Sequence, residues 1–400
     1  MENIRIEKID NMGRGICYID NKITFVPNTL PGELVNINIT KESKKYNEGI
    51  VTKYLETSPD RVESLCPYFD SCGGCALLNT SYSNTLKYKK EKLESIILKY
   101  SGLKLDINVI ESPNDLHYRN KITLKIKNNE YGYYISETHK LVKIDDCLLA
   151  EQSISDFIKD IKYLGIKDGE LVIRTNYLNE LLLVIDSKTK PQIDIDYLTN
   201  NHKIKGIILN NKLVYGESSF KEVINHLIFN VSYDSFFQVN REICRIIFDK
   251  LNEYIDKSKC ILDLYSGVGT LGISVSHKVD KVYSLEIVKN ATLNGISNAK
   301  LNDASNIYFM LGKVEDNIKK IKDEIDTIIL DPPRAGLDKV TRDFITRMNP
   351  QKIIYISCDP MTLARDLKEL SLNYKVKEVT GLDMFPYTYH IETMCLLERR

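Results

Sequence analysis

The chain carries no net charge: its 400 residues hold 55 Lys and Arg against 55 Asp and Glu. A global field that would draw in nucleic acid is therefore excluded, although a local patch is not. Long apolar runs are also missing. None approaches the ~18 residues that a membrane span needs, so no membrane partner is expected. The first residues, MENIRIEKIDN, have neither an apolar core nor a cleavage site. No signal peptide is expected there, and the location that follows is cytoplasmic. No short-period repeat or low-complexity tract is evident.

Nine cysteines are present. In a reducing compartment that number argues against a disulfide framework and for metal binding or catalysis. Hydrophobic content of 43% and charged content of 28% are ordinary for a globular protein. At ~150 residues per domain the length suggests two or three domains. One stretch, Ser81–Lys143, holds 12 Lys and Arg against 7 Asp and Glu, interleaved with tyrosines. Such a run is often no more than a solvated face.

Residues 1–57 read as a small domain. The runs NIRIEKI, GICYID, KITFVPN, ELVNINIT and GIVTKYL, separated by Gly, Pro and Asn turns, fit a five-stranded barrel of the OB type. SPDRVESLCPYF (58–69) links it to a cysteine-rich loop. TLKYKKEKLESIILKYSGL (85–103) is helical, with Leu86, Leu93, Ile97 and Tyr100 on one face and Gly102 near its end. The rest of a central domain, to residue 230, is strand-rich with helical interruptions. From 231 to 400 strands alternate with helices, the pattern of a parallel sheet.

Three strand ends in that last region carry polar signals. CILDLYSGVGTLG (260–272) places Gly267, Gly269 and Gly272 in a G-x-G-x-x-G spacing, where small residues let a nucleotide approach the backbone and the helix start offers amides. Asp263 precedes the turn, and KVYSLEI ends at Glu286, suited to ribose hydroxyls. Those two acids favour S-adenosylmethionine over a dinucleotide. DPP (331–333) follows the run DTIILD. Cys358 follows KIIYIS, in the string ISCDP, which puts a thiol on the rim of a sheet, where α/β enzymes place chemistry. An isolated cysteine at a strand end is ordinarily buried and inert. The neighbouring Asp359-Pro360 favours a rim position. Glu392, in YHIETMCLLE, reads by itself as an ordinary strand-end carboxylate.

Cys66, Cys72 and Cys75 lie in CPYFDSCGGC. Three thiols so close in an intracellular chain point to a metal, and Cys147, in KIDDCLL, is the nearest unassigned cysteine that could complete a set of four. Zinc would prefer a second close pair, so a 4Fe-4S cluster fits better. Cys17, Cys244, Cys260 and Cys395 sit in apolar surroundings and read as core.

LPGE (30–33), SPDRV (58–62), CPYFDSCGGC, YRNK (118–121), FFQVN (236–240), DLYSGVGTLGI, DPPRAGLD (331–338), SCDPMTLARD (357–366) and FPYTYHIET (385–393) occur in this order. From the first barrel to Arg400 the chain resembles the uracil-5 RNA methyltransferases, and looks most like the branch that modifies 23S ribosomal RNA. The resemblance implies an α/β protein: an N-terminal TRAM-type OB barrel, a central mixed α+β iron–sulfur domain and a Rossmann-like methyltransferase domain. It implies a monomer acting on RNA, with helix 85–103 packed on the catalytic domain. By the same resemblance Gln238, Tyr265, Glu286 and Asp331 bind S-adenosylmethionine, Cys358 is the nucleophile and Glu392 the base. Cys66, Cys72, Cys75 and Cys147 hold the cluster. Ser266 stands where the family often has cysteine, and Tyr387 and Tyr389 where smaller or imidazole side chains are frequent.

A nicotinamide-dependent dehydrogenase would use the same glycine turn but leave Cys358 without a role. An RNA-binding protein with an inactive methyltransferase fold would not need Asp331, Cys358 and Glu392 together. Methylation of tRNA by the same chemistry is the nearer alternative; the bacterial tRNA branch usually lacks barrel and cluster. The target base must leave its stack, so binding has to come from elsewhere, and Arg119 and Lys121 are the first candidates for phosphate contacts.

Overall fold

The computed structural model describes residues 1–135, 140–256 and 258–400. Residues 136–139 of the basic stretch fall outside it. The N-terminal runs become a sheet of six strands, Ile4–Arg5, Lys8–Ile9, Gly15–Ile19, Lys22–Val26, Leu34–Glu42 and Tyr46–Glu56, because the first run breaks into two short pieces. Alternation turns Cys17, Ile19, Val35 and Ile37 inward with Ile6 and Val26 to form a small core. Asp20 and Asn21, with φ of 49° and 60°, make the two-residue turn that pairs Ile19 with Lys22. Such turns need positive φ at both central positions, which Asp and Asn tolerate.

The central region is a seven-stranded sheet, in spatial order Leu141–Lys143, Glu130–Tyr134, Lys121–Lys127, Gly169–Thr175, Leu181–Ser187, Ile204–Leu209 and Lys212–Gly216. Helices Gln152–Ile158 and Ile195–Asn201 bury Phe157 and Leu198 in its core. A hairpin, Ser219–Ile224 with Leu227–Ser232, leads to the C-terminal part.

There an eight-stranded sheet runs Ile307–Leu311, Lys281–Glu286, Cys260–Leu264, Thr327–Leu330, Lys352–Ser357, Glu392–Arg399, Tyr374–Leu382, Asn108–Ile110. Each paired neighbour is parallel except Glu392–Arg399, which is antiparallel to both of its own. The chain enters at Cys260–Leu264, builds outward through two strands, then returns to the other side at Thr327–Leu330. Ligands of open α/β sheets bind at such a switch point, outside the carboxyl ends of the strands. Leu264–Tyr265 and Leu330–Asp331 flank it.

The edge strand Asn108–Ile110 comes from early in the chain, and so does the helix before it, Tyr82–Ser101. Ser81 caps that helix by accepting the Asn84 amide at 3.3 Å, and Gly102, at φ 79°, ends it. It starts three residues before the sequence pattern suggests, because the cap is Ser81. Its buried face is Thr85, Lys89, Leu93, Ile96 and Ile97, with Tyr100 exposed. Apolar spacing misses Lys89, which is buried because Asp383 pairs with it at 2.5 Å. Leu93, Ile96 and Ile97 join Leu363 and Leu367 of helix Pro360–Leu370 in the catalytic core, at roughly 1.5–3 kcal/mol per buried side chain. Among the described residues no helix is long and apolar enough to cross a membrane.

Candidate active site

Cys358 sits in the turn between strand Lys352–Ser357 and helix Pro360–Leu370. Asp359 caps that helix, its Oδ1 accepting the amides of Met361 and Thr362 at 2.9 and 3.0 Å, and Pro360 opens it. Proline at the first position gives up no needed donor. The thiol is thus held, half-buried, on the sheet rim. Ser357 pairs with Thr393 across the antiparallel strands, so the register continues to Cys358 beside Glu392. Glu392 itself is buried. Leu330 pairs with Tyr355, which brings Asp331 to the same rim, and the Asp331 amide reaches the Leu264 carbonyl at 3.5 Å.

These acids face one another with little cationic relief. Burial, with Asp331 beside it, pushes the Glu392 carboxyl well above the usual carboxylate range, and Arg334 opposes the rise. Burial raises Asp331 to about 7. The Cys358 thiol is pushed up to about 11, first by burial and then by Glu392 and Asp331, again with Arg334 opposing. Arg334 is the residue of DPPR that the sequence reading left unassigned. His390 is driven down to about 4 by burial and by Arg334 and Lys92, so it is neutral.

On the other side of the switch point lies a cavity of about 240 Å³, lined by Tyr265, Glu286, Ile287, Gly312, Lys313, Asp338 and Thr341 among others. Glu286 accepts the Gly267 amide at 2.9 Å through one oxygen and the Val288 amide at 2.7 Å through the other. Each carboxylate oxygen retains a lone pair for hydroxyl groups. The amide that a dinucleotide pyrophosphate would need is therefore already taken, and the helix after the turn, Thr270–Val275, is short. Tyr265 adopts φ 62° and its hydroxyl lies 3.4 Å from Thr341 Oγ1. Gly272 serves packing: a Cβ there would meet Asp263 Oδ2 at 2.9 Å. Asp263, buried, accepts the Gly272 amide at 3.1 Å and is raised to about 8, chiefly by burial. Gln238 does not line this cavity; its carbonyl accepts from Asn120 Nδ2 at 3.0 Å, which ties FFQVN to YRNK. The sequence reading assigned no role to Ile287, Lys313, Asp338 and Thr341, although Ile287 ends KVYSLEI and Asp338 closes DPPRAGLD as the cap of the helix that carries Thr341.

Cys66, Cys72, Cys75 and Cys147 all line one cavity of about 40 Å³, with Tyr68, Phe69, Arg119 and Tyr133 around them. All four are free thiols. Burial raises Cys66, Cys72 and Cys75. Among the described residues no three His, Cys, Asp or Glu side chains are arranged to hold a single metal ion. Cys17, Cys244, Cys260 and Cys395 are buried, as core cysteines should be. Arg119 faces the cysteine cavity and stands 6.0 Å from the Phe385 ring. Lys121 is half-buried and lowered by burial. Neither is the exposed cation that a phosphate contact would use.

A family model described as tRNA (Uracil-5-)-methyltransferase matches residues 170–400, and a TRAM domain model matches residues 2–52. An uncharacterized RNA methyltransferase of Fusobacterium nucleatum is 33% identical over 99% of this chain and 95% of its own. A namesake from Caldanaerobacter subterraneus is also 33% identical, over 99% and 97%. Among solved structures, the Pyrococcus abyssi tRNA (uracil-54, C5)-methyltransferase in complex with S-adenosyl-L-homocysteine superposes with a TM-score of 0.82 at 27% identity, covering 99% of both chains.

Proposed function

Because the chain belongs to the tRNA (uracil-5-)-methyltransferase family, we propose that it methylates carbon 5 of a specific uridine in RNA, that RNA being 23S ribosomal RNA, through a covalent Cys358 adduct. As a member it is an S-adenosylmethionine-dependent RNA methyltransferase with an N-terminal TRAM domain. The observation that carries the adduct is the pairing of Ser357 with Thr393, which sets the thiol beside a buried carboxylate.

Carbon 5 of uracil is a poor nucleophile. The Cys358 thiolate adds to carbon 6, and the ring becomes an enolate. Carbon 5 then takes the methyl group from the sulfonium, which leaves as a neutral thioether. Glu392 removes the carbon 5 proton, the double bond re-forms and the thiolate is expelled. A thiol raised to about 11 is largely protonated near neutrality, so addition needs a proton acceptor or a cation nearby. Arg334 is the protein cation that favours the thiolate. Glu286 would hold ribose hydroxyls, Tyr265 the cavity wall, and Asp331 and Gln238 the part of the donor nearer the reacting carbon.

The four cysteines fit a 4Fe-4S cluster, and a cluster held by Cys66, Cys72, Cys75 and Cys147 would cross-link the loop after the barrel to the central sheet. The RNA path is a groove of about 850 Å³ from the barrel to the catalytic loop, lined by Arg14, Phe25, Lys41, Tyr54 and Tyr389 among others. Glu48 and Asp70 also line it, and Arg14 and Lys41 are paired with Asp10 and Glu48, so its rings, as stacking faces for unpaired bases, carry this reading.

A tRNA target is the second reading. The Pyrococcus abyssi protein acts on tRNA by its name and matches the whole chain, so possession of a barrel does not separate the two substrates. Mapping methyluridines in 23S ribosomal RNA and in tRNA from cells lacking this protein decides between them. RNA carrying 5-fluorouridine tests the chemistry, because fluorine blocks the last proton removal. On that RNA Cys358→Ala should form no adduct, and on RNA with ordinary uridine Glu392→Gln should form the adduct and stall where the wild type turns over; an adduct in Cys358→Ala would refute the mechanism.

A further inference from the structure

Residues 383–391, which lead into Glu392, are held largely by residues far away in the sequence. The carbonyl of Phe385 accepts from Lys89 Nζ at 2.9 Å, and that of Pro386 from the Tyr118 hydroxyl at 3.2 Å. The Tyr387 carbonyl accepts two amides, from Ala76 at 3.2 Å and Leu77 at 3.1 Å. The Tyr389 carbonyl accepts from Lys92 Nζ at 2.8 Å, and the same ammonium donates to Asn11 of the barrel at 2.8 Å. Tyr387 is also pinned by its side chain, which donates to Asp115 Oδ2 at 2.8 Å, and its backbone lies at φ 58°. A non-glycine residue holds that conformation only where its surroundings fix it.

Two of these clamps belong to the cysteine site. Ala76 and Leu77 are the residues directly after Cys75. Tyr118 precedes Arg119, whose guanidinium lines the cysteine cavity and faces Phe385. The path from the thiols to the base is thus one residue of chain, two amide hydrogen bonds and five residues more.

We infer that the cysteine loop positions the base: order in the loop from Cys72 to Leu77 fixes the segment bearing Glu392, so losing that order slows elimination while sparing addition. The inference rests on the adduct mechanism proposed above. Addition uses Cys358, which is held by its own strand, paired through Ser357 with Thr393, and by the Asp359 cap. Elimination moves the carbon 5 proton to Glu392 as the carbon 6–sulfur bond breaks, and it therefore depends on where the carboxylate lies. Leu77 and Tyr118 are positioning residues in this scheme.

The test uses the full chain, purified anaerobically, with undermethylated RNA from cells lacking the protein and a labelled methyl donor. Cys75→Ser should transfer methyl and form the adduct in the first turnover. The adduct should then decay more slowly, by up to about a hundredfold if the carboxylate is misplaced by roughly 1 Å. Tyr118→Phe, which leaves the cysteines untouched, should lengthen the adduct lifetime by a smaller factor. Amide hydrogen exchange of residues 383–391 should quicken in both. Should Cys75→Ser fail to fold, Tyr118→Phe decides alone. Unchanged decay, or a fall in adduct formation equal to the fall in decay, overturns the inference. A wild-type protein that forms no adduct with 5-fluorouridine RNA would instead overturn the mechanism beneath it.

Discussion

Replacing Lys89 with methionine should be among the most destabilising single changes in the catalytic domain. Its ammonium lies 2.5 Å from Asp383 Oδ1, with the two side chains only 1% and 0% exposed. It also donates to the Phe385 carbonyl. Methionine keeps the volume but strands Asp383, whose Oδ2 already makes no hydrogen bond among the described residues. Removing one partner of a buried pair costs about 3–5 kcal/mol, because the remaining charge loses its compensation. With a urea slope of about 2 kcal/mol per molar, the catalytic domain's unfolding midpoint should fall by roughly 1.5–2.5 M. The double variant Lys89→Met with Asp383→Leu removes both charges and should recover most of that loss. Urea titrations followed by near-ultraviolet circular dichroism measure both. A single-variant cost below about 1 kcal/mol, or no recovery in the double, would show that burial of the pair is not what holds helix Tyr82–Ser101 to the sheet.

The raised carboxyl of Glu392 gives a pH signature. Burial and Asp331 keep the proton on at low pH, so elimination should quicken as pH rises from mildly acid to mildly alkaline; an adduct lifetime flat over that range would count against Glu392 as base. Protein purified anaerobically should carry about four irons and lose them on serine substitution at Cys66, Cys72, Cys75 or Cys147; stoichiometric zinc without iron refutes the cluster. Glu286→Gln should weaken S-adenosylmethionine binding measured by calorimetry, while Gln238→Ala, whose side chain lies off the 240 Å³ cavity, should weaken it less. The reverse order would move the donor's ribose away from Glu286.

The placement of much of the candidate site was legible because its residues sit at ends of strands that hydrophobic pattern marks clearly. KIIYIS, DTIILD and CILDL are apolar runs, and the polar residue closing each one had to lie on the rim. What pattern could not reach was pairing order. Nothing local says that Glu392–Arg399 inserts antiparallel beside Lys352–Ser357, and that insertion makes a strand-end glutamate the neighbour of Cys358. Nor does local pattern show that Asn108–Ile110, three residues long, closes the far edge of the sheet. Lys89 was missed for a related reason: apolar spacing treats any lysine as solvent-facing, and only a partner 294 residues away makes this one core. The glycine turn was legible as a motif but its use was not. Gly272 is needed for packing on Asp263, and the Gly267 amide serves Glu286 in place of a phosphate.

Tyr387 and Tyr389 show why departures in a motif can leave a site intact. Apart from the bond of the Tyr387 hydroxyl to Asp115, the clamps on residues 385, 386, 387 and 389 described above take main-chain carbonyls, which any residue supplies. The side chains there are then free to take other work. Tyr387 reaches Asp115, and Tyr389 packs with its ring 4.1 Å from that of His390, tilted by 37°, beneath Lys92 while lining the groove toward the barrel. Geometry at Glu392 should therefore survive Tyr389→Phe and Tyr389→His, whereas loss of the donors Lys89, Lys92 or Tyr118 should not be tolerated as well. A segment held through its backbone keeps its place while its sequence drifts, and the residues that hold it lie far from it in the chain.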